Sequence, residues 1–253
     1  MSAATPAGPL TGRNVMITGA GAGIGRALSL ACAAAGAQLL LLSRSQQHLE
    51  STCDAITTAG GAPPVLIPGD LNRLDDAAAE QIGAAVQDQF GALHGLVHSA
   101  AVLGARVPLA FYGTADWQTV LQVNLTAPFL LTRALLPALQ AAAAARVLFM
   151  SAAEGVRGSA YWGAYAASKF GIEGLAQVWR DELEATTRIG IHVIDPGRRR
   201  TGLRAAAFRA EDPAAIPPAD EDLDIYLHLL AAPADAELPA RALARDWRAG
   251  NPR

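Results

Sequence analysis

The feature that most constrains this chain is a short apolar run that passes through glycines directly into a helix. Asn14–Thr18 (NVMIT) reads as a strand, Gly19-Ala20-Gly21-Ala22-Gly23-Ile24-Gly25 as a turn, and Arg26–Ala35 as a helix. Glycine lets backbone pack where a Cβ would collide, and a helix that starts there offers free N–H groups and the positive end of its dipole. Both properties suit the pyrophosphate of a dinucleotide. The turn alone does not demand one, because any tight strand-to-helix junction can use glycine, and the Gly19, Gly23, Gly25 spacing is looser than G-x-G-x-x-G.

The strand-then-helix pattern repeats down the chain. Gln38–Leu42, Pro64–Ile67, His94–His98, Arg146–Met150 and Ile189–Ile194 read as strands. His48–Thr58, Leu74–Phe90, a long stretch Trp117–Leu139 interrupted near Pro128 and Pro137, and Gly163–Ala185 read as helices. QLLLL and RVLFM are continuously apolar, as strands covered on both faces are. A last helix near Leu223–Ala232 and a short strand near Ala240–Ala244 close the chain. The pattern predicts an α/β fold of the Rossmann type: a doubly wound, mainly parallel seven-stranded sheet with helices on both faces. No linker or repeat divides the chain, so residues 1–253 are expected to form a single domain, with residues 1–10 loose. Residues 198–222, rich in Arg, Ala, Asp and Pro without a stable period, read either as a mobile lid over a cleft or as a plain surface loop.

Charge and composition narrow the function classes. A net charge of −3 speaks against nucleic acid or an anionic membrane surface as the main partner. Cys32 and Cys53 stand in no CxxC arrangement, so neither a zinc site nor a disulfide framework is expected. The N-terminus MSAATPAGPL has no basic region followed by an apolar run, and no stretch reaches about 18 uninterrupted apolar residues. A soluble, cytoplasmic protein is expected. Of its 20 Lys+Arg residues, Lys169 is the sole lysine.

That lysine stands four residues after a tyrosine, in Tyr165-Ala166-Ala167-Ser168-Lys169 on the long predicted helix. The spacing puts both side chains on one helical face. An ammonium beside a phenol favours the phenolate, drawing a pKa of about 10 toward the range where the group can exchange protons with an alcohol or carbonyl. Arginine, a planar fork that stays protonated, cannot replace a compact ammonium, so this is where an arginine-rich composition has to give way. At the end of the second strand, Ser43-Arg44 supplies a guanidinium and no carboxylate, which favours NADP(H) over NAD(H) through the 2′-phosphate.

Together these motifs resemble the short-chain dehydrogenase/reductase family, over residues 12–202. Thr18–Gly25 is similar to the family's TGxxxGxG cofactor turn, and Tyr165–Lys169 to its YxxxK. The resemblance implies cofactor contacts from Gly19, Gly21, Gly23, Ile24 and Gly25 in the turn, and from Ser43 and Arg44 after the second strand. It further implies contacts from Asp70-Leu71 near the adenine, Ser99-Ala100 after the fourth strand, the Tyr165–Lys169 pair, and Pro196, Gly197 and Thr201 of a PGxxxT segment. It makes Tyr165 the proton donor or acceptor and Lys169 its partner. Asn124 falls where the family holds a relay water. The implied activity is reversible hydride transfer between NADP(H) and a small-molecule carbonyl or secondary alcohol, in a homodimer or homotetramer. A narrower likeness, through AYAASKFGIEG, the run Arg204–Pro213 and the arginine-bearing C-terminus, is to bacterial family oxidoreductases of unassigned substrate.

The departures from the family pattern bear on catalysis. Ala152 stands where the family has its active-site serine. Ser151, the neighbouring hydroxyl, is the candidate stand-in, although adjacent strand residues point to opposite faces. The family's NNAG segment reads His98-Ser99-Ala100-Ala101, and Arg199 fills a slot that is usually aliphatic. These changes leave room for an alternative function: a catalytically impaired NADP(H)-binding protein that acts as a sensor or interaction partner. The run Arg198-Arg199-Arg200 reads as a grip for an acidic ligand or as a solvated basic loop. Trp179 reads as interface or as core, Glu154 as a cleft or exposed carboxylate, and His98 as a packed strand-end residue.

Overall fold

The computed structural model describes residues 8–248. Its sheet has seven strands: β1 (Asn14–Thr18), β2 (Gln38–Ser43), β3 (Val65–Pro68), β4 (Gly95–His98), β5 (Ala145–Met150), β6 (Ile189–Asp195) and β7 (Arg241–Leu243). They lie in the order β3-β2-β1-β4-β5-β6-β7, and every pairing is parallel. The order reverses between β1 and β4, and such a switch point is where open α/β sheets bind ligands.

Eight helices connect the strands: α1 (Gly23–Ala34), α2 (Gln46–Thr58), α3 (Asp76–Phe90), α4 (Thr114–Leu121), α5 (Ala127–Ala141), α6 (Gly163–Glu184), α7 (Gly202–Ala207) and α8 (Asp224–Ala231). The apolar strand runs serve both faces by alternation. Met16, Leu40, Leu42, Val147 and Phe149 join a core with α3, α5 and α6. Val15, Ile17, Leu39, Leu41 and Leu148 join a second core with α1, α2 and α8.

Several boundaries differ from the sequence expectation, each for a physical reason. Leu10 is fully buried and its amide donates to the Ala35 carbonyl at 2.9 Å, so order begins inside the stretch expected to be loose; residues 1–7 of that stretch lie outside the described residues. Helix α1 starts at Gly23 and includes two of the turn's glycines. The break in the long helix falls on a π-helical turn, Gln122–Thr126, and not at the prolines. Pro128 follows directly on the π-helical turn as the second residue of α5, and Pro137 is carried inside the helix. Residues 198–222 contain α7, capped by the Thr201 hydroxyl, and a 3₁₀ turn at Pro213–Ala215. Six residues are too few to show a helical period in sequence.

Thr114–Ala141 is long and apolar enough to cross a bilayer by length and composition. Half of its most apolar 18-residue window is buried, with α5 packed on α3 and α4 on α6. Trp179 belongs to the core, stacked on Phe129 at 6.4 Å, while Val178 beside it is exposed.

Candidate active site

A cleft of about 690 Å³ runs along the carboxyl ends of the strands, and every strand contributes residues to it from its end or from the loop beyond. At one wall the first turn of α1 opens onto the cleft. Its N-cap is Ala22, which has no side chain to satisfy the leading N–H groups, and the first turn carries no acidic residue. These donors and the helix dipole therefore face the cavity. Two glycines are required by packing: a Cβ on Gly25 would lie 2.3 Å from the Gly19 carbonyl oxygen, and one on Gly19, at φ +68°, would lie 2.8 Å from the Ala100 Cα. Thr18, buried at the end of β1, accepts from the amides of Ser99 and Ala100 at 3.1 and 3.2 Å, and so ties this wall to the loop after β4.

Tyr165 and Lys169 lie on one face of α6, both lining the cleft and both almost fully buried. The Lys169 Nζ sits 5.6 Å from the tyrosine ring centroid and donates to the Met150 carbonyl at 2.7 Å. Burial pulls Lys169 down to about 8, against the Asp195 and Glu173 carboxylates, which push it up. Burial also holds the Tyr165 phenol above the ordinary tyrosine range, reinforced by Glu154 and Asp195. Burial and these two carboxylates thus act on the phenol in the direction opposite to that expected of a neighbouring ammonium.

The end of the cleft around Tyr165 is apolar. Trp162, Tyr165 and Ala166 form a cluster with Leu103, Ala152, Leu203, Ala207 and Phe208. The indole of Trp162 lies 5.4 Å from the Tyr165 ring and 5.8 Å from that of Phe208. Arg106 stacks on Trp162 at 4.1 Å and Arg204 on Phe208 at 4.0 Å, the latter held bidentately by Glu211. Helix α7 thus contributes directly to the wall beside the phenol.

The cleft gathers Gly19, Gly23, Ile24, Gly25, Ser43, Arg44, Asp70, Leu71, Ser99, Ala100, Pro196, Gly197 and Thr201 with the Tyr–Lys pair. Among the candidate residues, two do not line it. Gly21 faces His48 and Ser43, where a Cβ would lie 2.7 Å from the His48 Cβ. Asn124 is buried in the π turn, accepting from the Val102 amide at 2.8 Å and donating to the Val102 carbonyl at 2.9 Å and to Ser168 Oγ at 3.1 Å. Its side chain therefore pins the loop after β4 to the helix beneath it.

Ser151 also lines the cleft, but its hydroxyl is engaged elsewhere. Its hydroxyl donates to Glu173 Oε1 at 2.6 Å on the buried side of the strand end, the face opposite Ala152. The arginine run is neither of the two expected things as a unit, because Arg199 is buried and pairs with Asp222. Glu154 does line the cleft. His98 is packed, stacked on Phe149 at 4.9 Å and bonded to the Thr132 hydroxyl, and burial drives it down to about 3.

Asp195, Glu173, Arg241, Trp162 and Phe208 were not singled out in sequence as parts of the site. Glu173 carried a signal, since it stands four residues beyond Lys169 on the same helix. Arg241 carried none, because only the closure of the sheet brings β7 to this point.

A glycine-walled cleft at the switch point of a parallel sheet, with a buried Tyr–Lys pair and an open helix N-terminus, defines a dinucleotide-dependent oxidoreductase of the Rossmann type. Residues 13–212 match the short chain dehydrogenase family model. The chain is 37% identical over 221 residues to the uncharacterized oxidoreductase YciK of Escherichia coli, covering 87% of each. A short chain dehydrogenase structure from Pseudomonas syringae superposes with a TM-score of 0.90 at 38% identity, covering 96% of this chain and 98% of that one. Another, from Shigella flexneri in complex with NADP, has a TM-score of 0.90 at 34% identity, covering 94% and 99%. The chain belongs to the short-chain dehydrogenase/reductase family.

Proposed function

We propose that the protein is an NADP(H)-dependent enzyme that interconverts a small-molecule carbonyl and its secondary alcohol. The observation that carries this reading is the pair Tyr165 and Lys169, buried on one face of α6 and lining the same cleft as the uncapped N-terminus of α1. The residues present fit a nicotinamide dinucleotide. The Gly19–Gly25 cradle and the leading N–H groups of α1 suit its pyrophosphate, and Arg44 at the end of β2 suits a 2′-phosphate. Asp70 and Leu71 lie at the β3 end, and Pro196, Gly197 and Thr201 at the β6 end. The NADP in the Shigella relative supports the preference. When bound, such a cofactor supplies or accepts the hydride.

The chain's own residues handle the proton. The Tyr165 phenol donates to a carbonyl oxygen as it becomes an alkoxide, and in the reverse direction its phenolate accepts. Lys169, as an ammonium at the ring, stabilises the phenolate and offers a donor to the cofactor's ribose. Trp162, Leu203 and Phe208 give that exchange an apolar wall on one side. Ala152 contributes no donor to the substrate oxygen, so the reading includes turnover below that of a site with a hydroxyl there. The same residue favours the second reading, a cofactor-binding protein with little catalysis. Free cysteines at 32 and 53 support a reducing, cytoplasmic setting, and the exposed Phe170 and Val178 on α6 support a homo-oligomer.

NADPH and NADH titrations by cofactor fluorescence, followed by an aldehyde and ketone panel, test the proposal. Tighter NADPH binding is expected, with turnover that Tyr165→Phe reduces by about 10²–10⁴ while leaving binding intact. Binding without turnover across the panel would select the second reading. No binding of either cofactor would refute both.

A further inference from the structure

Lys169 is surrounded by more buried charge than holding a cofactor ribose requires. Glu173, one helical turn further along the same face of α6, is 9% exposed. Its Oε1 accepts from Ser151 Oγ at 2.6 Å and from Arg241 Nε at 3.0 Å, and its Oε2 from Arg241 Nε at 3.3 Å. Arg241 stands on β7, the three-residue edge strand, with a terminal nitrogen 3.9 Å from Asp195 Oδ2. Asp195 ends β6, and its Oδ1 accepts from the Gly197 amide at 2.8 Å. The chain Ser151–Glu173–Arg241–Asp195 thus crosses from β5 to β7 beside Lys169. Only the Glu173 end of this pair is buried, the Arg241 side chain being 31% exposed, so the carboxylate is the group held inside.

We propose that Glu173 is a positioning residue that keeps Lys169 an ammonium, with Ser151 holding its carboxylate in place and Arg241 limiting its pull. The proposal rests on the reading of Lys169 as the partner of Tyr165. Asp195 on β6 and Glu173 on α6 act on the lysine, Arg241 on β7 pairs with both, and the titratable Tyr165 on α6, Glu154 after β5, Arg199 and Arg245 line the same cleft. Of the two carboxylates that oppose the effect of burial, Asp195 pushes harder; it is bonded within its own turn to Gly197 and faces Arg241 at 3.9 Å. Glu173 is the one clamped between two side-chain donors from other elements. The arrangement also accounts for Ser151, whose hydroxyl serves the lysine through Glu173 and does not serve the substrate.

The composition supplies the test. Lys169 is the sole lysine of the chain, so protein labelled with ¹³C at the lysine ε-carbon gives one resonance whose pH titration reads this residue alone. Glu173→Gln keeps the shape and the Ser151 contact and removes the charge; it is expected to move the midpoint about one pH unit lower. Arg241→Gln, on the sheet edge, leaves the Glu173 charge uncompensated and is expected to move it higher. Kd for NADPH against pH should follow the same order. Unchanged midpoints in both variants, or a shift in the same direction in both, would overturn the proposal. The titration needs no turnover, so failure of the oxidoreductase reading in the carbonyl panel would be seen separately.

Discussion

Ala152→Ser asks whether one missing hydroxyl limits this enzyme. Ala152 has extended backbone (φ −161°, ψ 173°) at the end of β5, and its methyl packs in the cluster around Tyr165 while Ser151 points the other way, to Glu173. A serine here therefore directs its Oγ to the cleft side without disturbing the buried network. A donor aimed at developing charge is worth roughly 10²–10³ in rate, or about 2.7–4 kcal/mol. Against this stands the cost of a hydroxyl on an apolar wall, about 1–3 kcal/mol were it sealed off. Ala152 is half-buried and lines the open cleft, so water reaches the hydroxyl and most of that cost is avoided. The expected result is a rise in kcat/KM for NADPH-dependent carbonyl reduction of at least about tenfold, or 1.4 kcal/mol, with little change in Tm. The assay follows NADPH consumption by absorbance, with Tyr165→Phe in the same background to show that the gained rate still passes through the phenol. A gain below about threefold, roughly 0.65 kcal/mol, would refute the reasoning.

Other expectations concern the cofactor end. Gly25→Ala places a methyl 2.3 Å from the Gly19 carbonyl oxygen and 2.8 Å from its carbon, backbone that cannot swing aside, and 3.1 Å from Ser99 Oγ; cofactor fluorescence titration should show NADPH binding lost, and binding within about threefold of wild type would contradict the cradle assignment. Arg44→Ala should weaken NADPH by about 10–100-fold, the worth of a charged hydrogen bond to phosphate, and leave NADH unchanged. Equal losses for both cofactors would place Arg44 outside 2′-phosphate recognition.

Much of the fold was legible because its signals are local. Continuous apolar runs at Gln38–Leu42 and Arg146–Met150 mark strands covered on both sides, and their alternation between two cores explains why no polar position interrupts them. The glycine turn and the Tyr165–Lys169 spacing were equally readable, since each depends on residues within one turn or one helix. Errors arose where tertiary context overrides local pattern. The long helix breaks at Gln122–Thr126, where Asn124 bonds to Val102, and not at either proline. Helix α7 was missed because six residues carry no period, although its Leu203 and Ala207, with Phe208 just beyond it, join the wall beside Tyr165.

The division follows from the range of the forces involved. Sequence alone determined the family, the parallel sheet and the Tyr165–Lys169 spacing, because periodicity, glycine geometry and i,i+4 spacing act between near neighbours. Tertiary structure decided the electrostatics of that pair. Desolvation, opposed by the carboxylates of Asp195 on β6 and Glu173 on α6, puts Lys169 near 8, and desolvation with Glu154 and Asp195 holds Tyr165 above its ordinary range. Only folding sets how deeply a group is buried and which distant carboxylates face it. The same holds for Ser151: its position in sequence made it a candidate catalyst, and the face of the strand on which its hydroxyl lies bound it to Glu173.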